Sequence, residues 1–356
     1  MSHIEETVLR LEKFFAGKKE DPVKVDIFFT EACNFKCRFC NYSKVSKEAI
    51  KKEMNDKKIL TLVNEICEMN VKIFGVLGGE PFLRKKVLLK SMEKIKKHGI
   101  AGSIVSNGSL IKEDDVTRMV KMKWDLIRLS IDGLKKTHEY LRGVKGSFEK
   151  VLNVIKTFYR IKKKFKSNYP TVEVNFVLTN KNYKELGKLM ELLSRYDVNF
   201  IYILPMIELT KESRSLKITE KDAEKVNTYL QKALEVGEKF GISSNLKDVI
   251  EKKLYLYSNR METIILEKKG IPYCFLPWYT ININSNGSVT PCAQWPKEAG
   301  VNLNGKSLKE IWLKDYDKMR RMLLKKLPEW CSRCCVPLVD ENKAIRERLE
   351  WRWRKD

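Results

Sequence analysis

The chain has 356 residues, 43% of them hydrophobic and 33% charged, and a formal net charge of +24. This composition excludes a disordered or low-complexity chain and suits one large domain with a smaller companion. No run approaches the ~20 apolar residues that cross a bilayer, and the charged opening MSHIEETVLRLEKFF has no apolar signal segment, so a cytoplasmic protein with no membrane partner is expected.

A short helix is expected over 1–20, followed by a regular alternation. Strands are predicted at 23–29, 71–78, 102–108, 126–133, 171–180 and 198–205. Helices are predicted at 56–70, 84–98, 113–122, 147–165 and 182–195. Short β-branched strands separated by helices indicate βα units and a parallel sheet. Six units fall short of the eight of a closed barrel, so the fold class expected is α/β, a partial (β/α)6 TIM-like barrel. Past Pro205 the pattern changes to helices at 219–241 and 245–258. YTININSNGSVTPC then reads as a hairpin turning at Asn286-Gly287, followed by a helix and the sequence CSRCC. The expected divisions are an N-terminal helix (1–22), the partial barrel (23–215), a helical connection (216–264), a small C-terminal domain over the open end of the sheet (265–340) and a final helix (341–356).

The lysines are spread along helical segments such as 84–97 and 150–166, without an Arg-rich or aromatic-basic block. Nucleic acid is therefore not expected as the main partner; a lysine-rich proteome or an acidic small substrate fits the charge as well. Nine cysteines in such a chain point to metal or catalysis rather than disulfides. Three lie between 33 and 40 and five between 274 and 335. Cys67, inside a helical pattern, reads as a small buried hydrophobe.

Cys33, Cys37 and Cys40 stand in C-x3-C-x2-C spacing just after the first strand. Three thiolates from one loop can hold three irons of a cubane, leaving the fourth open to a small ligand. The alternative is zinc with a distant fourth ligand, for which His3, His98 and His138 are the histidines available. In the C-terminal half, Cys274, Gly287 and Cys292 follow C-x12-G-x4-C, and Cys331 and Cys334 form C-x2-C. These four cysteines suit a closed cubane or a structural zinc site.

The N-terminal triplet, GGEP at 78–81, SNG at 106–108, LSIDG at 129–133 and LRG at 141–143 together resemble the radical S-adenosylmethionine (AdoMet) superfamily. The resemblance implies a [4Fe–4S] cluster on Cys33, Cys37 and Cys40, and AdoMet beside it. It implies that Phe39 packs near the adenine and that Gly78 and Gly79 leave backbone groups open to the AdoMet ammonium. Glu80 would order that loop or accept a hydrogen bond, and Ser106 and Asn107 would form the matching segment after the third strand. Ser130 and Asp132 would meet the ribose, Arg142 the carboxylate and Leu178 the adenine. These segments fall at the C-terminal ends of predicted strands, where parallel sheets place their sites.

The second group of cysteines resembles the SPASM and Twitch auxiliary-cluster domains. With no cysteine beyond Cys335, the likeness is to the shorter Twitch type, with one auxiliary [4Fe–4S] cluster on Cys274, Cys292, Cys331 and Cys334; Cys335 is read as a spare thiol. The implied activity is reductive cleavage of AdoMet to a 5′-deoxyadenosyl radical and removal of a substrate hydrogen atom, with the auxiliary cluster transferring electrons. A low-potential flavodoxin or ferredoxin would supply the electron. Anaerobic sulfatase maturases carry a carboxylate where this chain has Ala293, and many peptide maturases have an N-terminal peptide-binding module where this chain has a short helix. The Twitch-type dehydrogenase of aminocyclitols is the nearest analogue by cysteine layout. Oxidation of a sugar-like or polar small molecule is thus the leading expectation, ahead of peptide maturation by thioether, epimerisation or crosslink chemistry. Glu208, just beyond the sixth strand, is the candidate base, and Tyr202 and Trp278 candidate pocket residues. The contrasting class is a non-enzymatic iron–sulfur carrier or a basic nucleic-acid-binding protein.

Overall fold

In a computed structural model, which describes residues 3–256, 272, 274–334 and 336–353, helix α1 (His3–Phe15) leads into strand β1 (Lys24–Phe28). The following loop carries the first three cysteines and a short helix α2 (Lys47–Lys51). Then come α3 (Asp56–Glu68), β2 (Ile73–Leu77), α4 (Lys85–Lys97) and β3 (Ala101–Ser106). They are followed by α5 (Glu113–Lys121), β4 (Leu126–Ser130), α6 (Lys135–Arg142) and α7 (Ser147–Phe165). β5 (Thr171–Leu178), α8 (Leu186–Leu193) and β6 (Phe200–Pro205) complete the alternation.

β1 to β6 pair in parallel and in chain order. The helices form because each offers an apolar stripe to that sheet. In α3, Ile59, Leu62, Val63 and Ile66 fall at i, i+3, i+4 and i+7 and are all buried, while Asn55 caps the first turn by accepting from the Lys58 amide. The strands alternate as sharply: β5 buries Val172, Val174, Phe176 and Leu178.

Beyond β6 the chain forms α9 (Lys211–Arg214), α10 (Ala223–Phe240), a two-residue strand β7 (Ser243–Ser244) against β6, and α11 (Leu246–Glu251). The helix expected over 245–258 is thus shorter, ending in a 3-10 turn at 254–256.

The hairpin differs from expectation in its placement. β8 (Thr280–Ile283) pairs in parallel with the free edge of β1, β9 (Ser288–Thr290) pairs antiparallel with β8, and β10 (Val301–Asn302) with β9, giving one sheet of ten strands. All four residues of β8 are buried, and its pairing satisfies the amides and carbonyls that the β1 edge would leave open. The C-terminal segment is therefore a continuation of the sheet rather than a cap on it.

Helices α12 (Leu308–Glu310) and α13 (Tyr316–Lys325), joined by a π-helical turn, lock this extension down. Trp312 donates through Nε1 to the carbonyl of Glu20 at 2.7 Å, and Tyr316 donates its hydroxyl to the carbonyl of Thr290 at 2.6 Å. The last helix, α14 (Val336–Trp353), packs on α1. No helix among the described residues is long and apolar enough to cross a membrane.

Candidate active site

The loop from β1 to α2 folds over the C-terminal ends of β2 and β3, and two glycines make this possible. Gly78 has φ +139°, and a methyl group there would overlap the carbonyl oxygen of Thr30; at Gly79 it would overlap those of Glu31 and Ala32. Without side chains, Gly79 and Glu80 donate their amides to the carbonyls of Thr30 and Ala32, each at 2.8 Å. From the other side, Gly143 at the end of α6 sits against the carbonyl of Lys36, and the Arg38 amide donates to the carbonyl of Leu141 at 3.0 Å. The cysteine loop is thus held between the end of β2 and the end of α6.

Glu80 is the strut of the arrangement. It is fully buried, and its carboxylate accepts from the Phe82 amide (3.0 Å), the Ser106 hydroxyl (2.9 Å) and the Asn107 amide (2.8 Å). Burial raises its pKa, and the Asn107 and Phe82 amides offset that rise only in part. Asn107 in turn donates to Asn34 Oδ1 at 3.0 Å and stands 4.0 Å from Cys33 Sγ. GGEP and SNG are therefore one unit that shapes the cysteine loop.

Cys33, Cys37 and Cys40 line one cavity of about 390 Å³, together with Phe35, Phe39, Gly78, Gly79, Ser106, Asn107, Ser130 and Arg142. Burial pushes all three thiols up, Cys37 to about 11, against the opposing pull of the Arg142 guanidinium. Among the described residues no three His, Cys, Asp or Glu side chains gather at single-ion distance. All three thiols line the same cavity, and three from one loop can hold three irons of a cubane. Soft thiol donors from one loop beside a cationic Arg142 fit an anionic iron–sulfur cluster.

Arg142 is held rather than free. Its Nε pairs with Asp132 Oδ2 at 2.5 Å, Nη1 donates to Cys37 Sγ at 3.8 Å, and the guanidinium lies 5.3 Å from the centre of the Phe39 ring. Burial opposes its charge, but Asp132 and Cys37 more than restore it. Asp132, expected at the ribose, is fully buried and does not line the cavity. Its other oxygen accepts from the Val177 amide at 2.7 Å, so its carboxylate is spent on positioning Arg142 and β5. Leu178 packs in the core, 2% exposed.

Three other expectations meet a different placement. Glu208 lies outside the cavity in a half-exposed ion pair with Lys217 at 2.7 Å; its neighbour Leu209 lines the cavity instead. Tyr202 is engaged with Phe200 and Arg128 on β6, and Trp278 is a core residue against Phe15; neither lines the cavity. Conversely, Tyr42, Leu209 and Gln294 line it without having been singled out. Tyr42 stands two residues after Cys40 and Gln294 two after Cys292, which was a usable signal. Leu209 carried none.

The second group of cysteines lies where the sheet extension meets α14. Burial pushes Cys274 and Cys331 each up to about 12, with Cys274 and Cys331 within electrostatic reach of each other and Cys331 within reach of Cys292. Asn342 on α14 accepts from the Phe275 amide at 2.7 Å and donates to the Cys274 sulfur. The Cys334 amide donates to the carbonyl of Cys331 at 3.0 Å. Trp295 and Trp330 stack edge to face nearby, 5.4 Å between ring centres. Cys335 lies outside the described residues. Cys292 is followed directly by Ala293 and Gln294 in the wall of the first cavity, so the two groups of cysteines share a boundary.

The sequence matches the model of the radical SAM superfamily over residues 27–193 and that of the iron–sulfur cluster-binding SPASM domain over 274–335. The chain is similar to the Fe-coproporphyrin III synthase of Methanosarcina barkeri, at 21% identity over 326 residues, covering 86% of this chain and 78% of that protein. It is also similar to the cysteine-type anaerobic sulfatase-maturating enzyme of Clostridium novyi, at 25% identity, covering 73% and 70%. Among solved structures, SuiB of Streptococcus suis bound to its precursor peptide SuiA superposes with a TM-score of 0.61 at 20% identity, covering 89% of this chain and 70% of that one.

Proposed function

The chain belongs to the radical SAM superfamily and carries a SPASM domain, and on that footing we propose that it is a peptide-modifying radical enzyme. Its cofactors are AdoMet and iron–sulfur clusters. A bound cluster and AdoMet would supply the one-electron chemistry that removes a hydrogen atom from substrate. Cys33, Cys37 and Cys40 would hold that cluster, and Cys274, Cys292, Cys331 and Cys334 an auxiliary one of the Twitch kind. Glu80, Ser106 and Asn107 fix the cysteine loop, Arg142 balances thiolate charge, and the aromatic walls keep water out of the site.

The observation that favours a peptide over a sugar-like substrate is the cavity lining. Beside Arg142 and the cysteines, the described lining residues are aromatic, aliphatic or neutral polar: Phe28, Leu77, Val105 and Leu209, with Tyr42, Ser130 and Gln294. No carboxylate, histidine or lysine is among them. Carbinol oxidation of a polyol needs a base for the hydroxyl proton and several partners for the remaining hydroxyls. A peptide side chain flanked by amides needs apolar contact and a few neutral hydrogen-bonding groups, which Tyr42 and Gln294 offer. The similarity to a sulfatase-maturating enzyme supports the same reading.

Two measurements test it. Iron and sulfide per chain after anaerobic reconstitution should be about eight each, falling to about four in the variant with Cys33, Cys37 and Cys40 all changed to Ala. Incubation with candidate short peptides and with aminocyclitols, followed by mass spectrometry, should show a mass change confined to the peptides. Turnover of an aminocyclitol to its ketone, with peptides untouched, would overturn the substrate assignment.

A further inference from the structure

A second depression, a groove of about 470 Å³, lies on the outer side of the cysteine loop, lined by Lys36, Cys37, Arg38, Ser43, Lys44, Gly143 and Glu212. Cys37 is the residue common to this groove and the inner cavity. We infer that the groove is the docking site of the acidic one-electron carrier protein that reduces the cluster, an inference that rests on the radical SAM reading above.

The argument starts from Cys37. It is buried, yet it lines both the groove and the inner cavity, so at this point a single residue of the loop separates the two. The inner cavity is the space AdoMet and substrate would fill. An electron arriving through the groove reaches a cluster ligand without crossing that space. Electron transfer weakens exponentially with distance, so a carrier gains most by seating where the wall is thinnest.

The rim has the chemistry of a partner for an acidic protein. Lys36, Arg38 and Lys44 are exposed cations, against one anion, Glu212, which is already paired with Lys44 at 2.6 Å. Lys36 has no partner among the described residues. Arg38 is held in place by donating from Nε to the Tyr140 carbonyl at 3.0 Å, with its guanidinium 4.2 Å from the centre of the Tyr140 ring; that ring is itself 45% exposed. A fixed arginine on an exposed tyrosine is the kind of anchor that protein interfaces favour. Two exposed lysines beside it, Lys36 unpaired among the described residues and Lys44 paired with Glu212, on a chain of net charge +24, would steer an acidic partner and set its orientation. Transfer is one electron from carrier to cluster: the carrier is oxidised by one, the cluster reduced by one, and no bond is made or broken.

The test uses the reconstituted holoenzyme and a reduced acidic flavodoxin, with dithionite as the small reductant. Carbodiimide coupling, mapped by mass spectrometry, should join Lys36 or Lys44 to carboxylates of the flavodoxin, and the yield should fall as salt is raised. The Lys36→Glu/Lys44→Glu variant should raise the KM for flavodoxin at least tenfold while dithionite-driven 5′-deoxyadenosine formation stays within twofold. Glu212→Lys, which adds a cation, should lower that KM. Cross-links mapping elsewhere, with KM unchanged in both variants, would overturn the proposal. So would coupling of the groove to a ribonucleotide oligomer with no flavodoxin bound. If the double variant lost iron, Glu212→Lys and the wild-type cross-links would decide. Absence of 5′-deoxyadenosine from the wild type with dithionite would sink the radical reading itself, and the cross-links would still report on docking.

Discussion

Glu80 shows how a single side chain serves both fold and site. Three donors from two different loops end on its buried carboxylate. Changing it to Ala leaves those donors unpaired at full desolvation cost, so Glu80→Ala should destabilise the chain by roughly 3 kcal/mol. It should also lose iron preferentially from the N-terminal cysteines, because Asn107, which reaches Asn34 in the cysteine loop, loses its support. Glu80→Gln keeps the shape and one acceptor and should retain most of the iron; urea midpoints and iron content check both. His138 makes a second case. It is 1% exposed, its Nδ1 accepts from the Asp132 amide at 3.1 Å, and burial, aided by Arg142, lowers its pKa to about 3. The unfolded chain therefore binds a proton that the folded chain refuses between pH 6.5 and about 3. Stability is full above that window and is lost as pH falls through it, by about 1.4 kcal/mol per pH unit from this residue. His138→Gln should remove one proton's worth of slope from unfolding free energy against pH between 4 and 6. An unchanged slope would mean the histidine protonates without cost.

At the scale of elements, what sequence could and could not reveal divides by distance along the chain. The cysteine triplet, GGEP, SNG and LSIDG are contiguous, and their strand-end positions follow from periodicity; all were legible. The partners of Asp132 were not. A carboxylate at the end of β4 gives no sign in sequence of an arginine partner, and only the approach of α6 to the cysteine loop reveals the pairing with Arg142. The same holds for Glu208, whose chain position beyond β6 is shared by Leu209 while its side chain turns to Lys217. The hairpin was legible as a hairpin, from Asn286-Gly287, but its joining β1 was not. Alternation along YTININ says which face of a strand is apolar and nothing of which edge it will pair with. Helix α14 was likewise legible only as a terminal helix, yet it carries Asn342, which holds both the Phe275 amide and the Cys274 sulfur. Asn342→Leu should therefore lower iron from about eight to about four per chain, with AdoMet cleavage still supported by the N-terminal cluster. Iron analysis alongside 5′-deoxyadenosine formation would check this; loss of all iron would show that α14 supports the whole sheet instead.

For the whole molecule, the continuity of the sheet has a thermodynamic consequence. β8 is hydrogen-bonded to β1, Trp312 ties the π-helical turn to the residues before β1, Tyr316 ties α13 to the hairpin, and α14 packs on α1. The chain thus builds its SPASM segment onto the first strand of its radical SAM core, and each buries what the other would expose. Two independent domains would melt in two steps, with the auxiliary segment free to go first. A shared sheet should melt as one cooperative unit. Tryptophan reports the comparison, since Trp278, Trp295, Trp312 and Trp330 lie in the C-terminal segment while most of the helix signal comes from the core. Urea unfolding followed by tryptophan fluorescence and by far-UV circular dichroism should give coincident curves, and Tyr316→Phe, which removes the hydroxyl that donates to the Thr290 carbonyl, should shift both by the same ~1 kcal/mol. A fluorescence transition that precedes the loss of helix, or a Tyr316→Phe effect confined to fluorescence, would mean that the extension unzips from β1 by itself. The cavity wall at Ala293 and Gln294 would then be a part of the site that opens, because it hangs on the same extension.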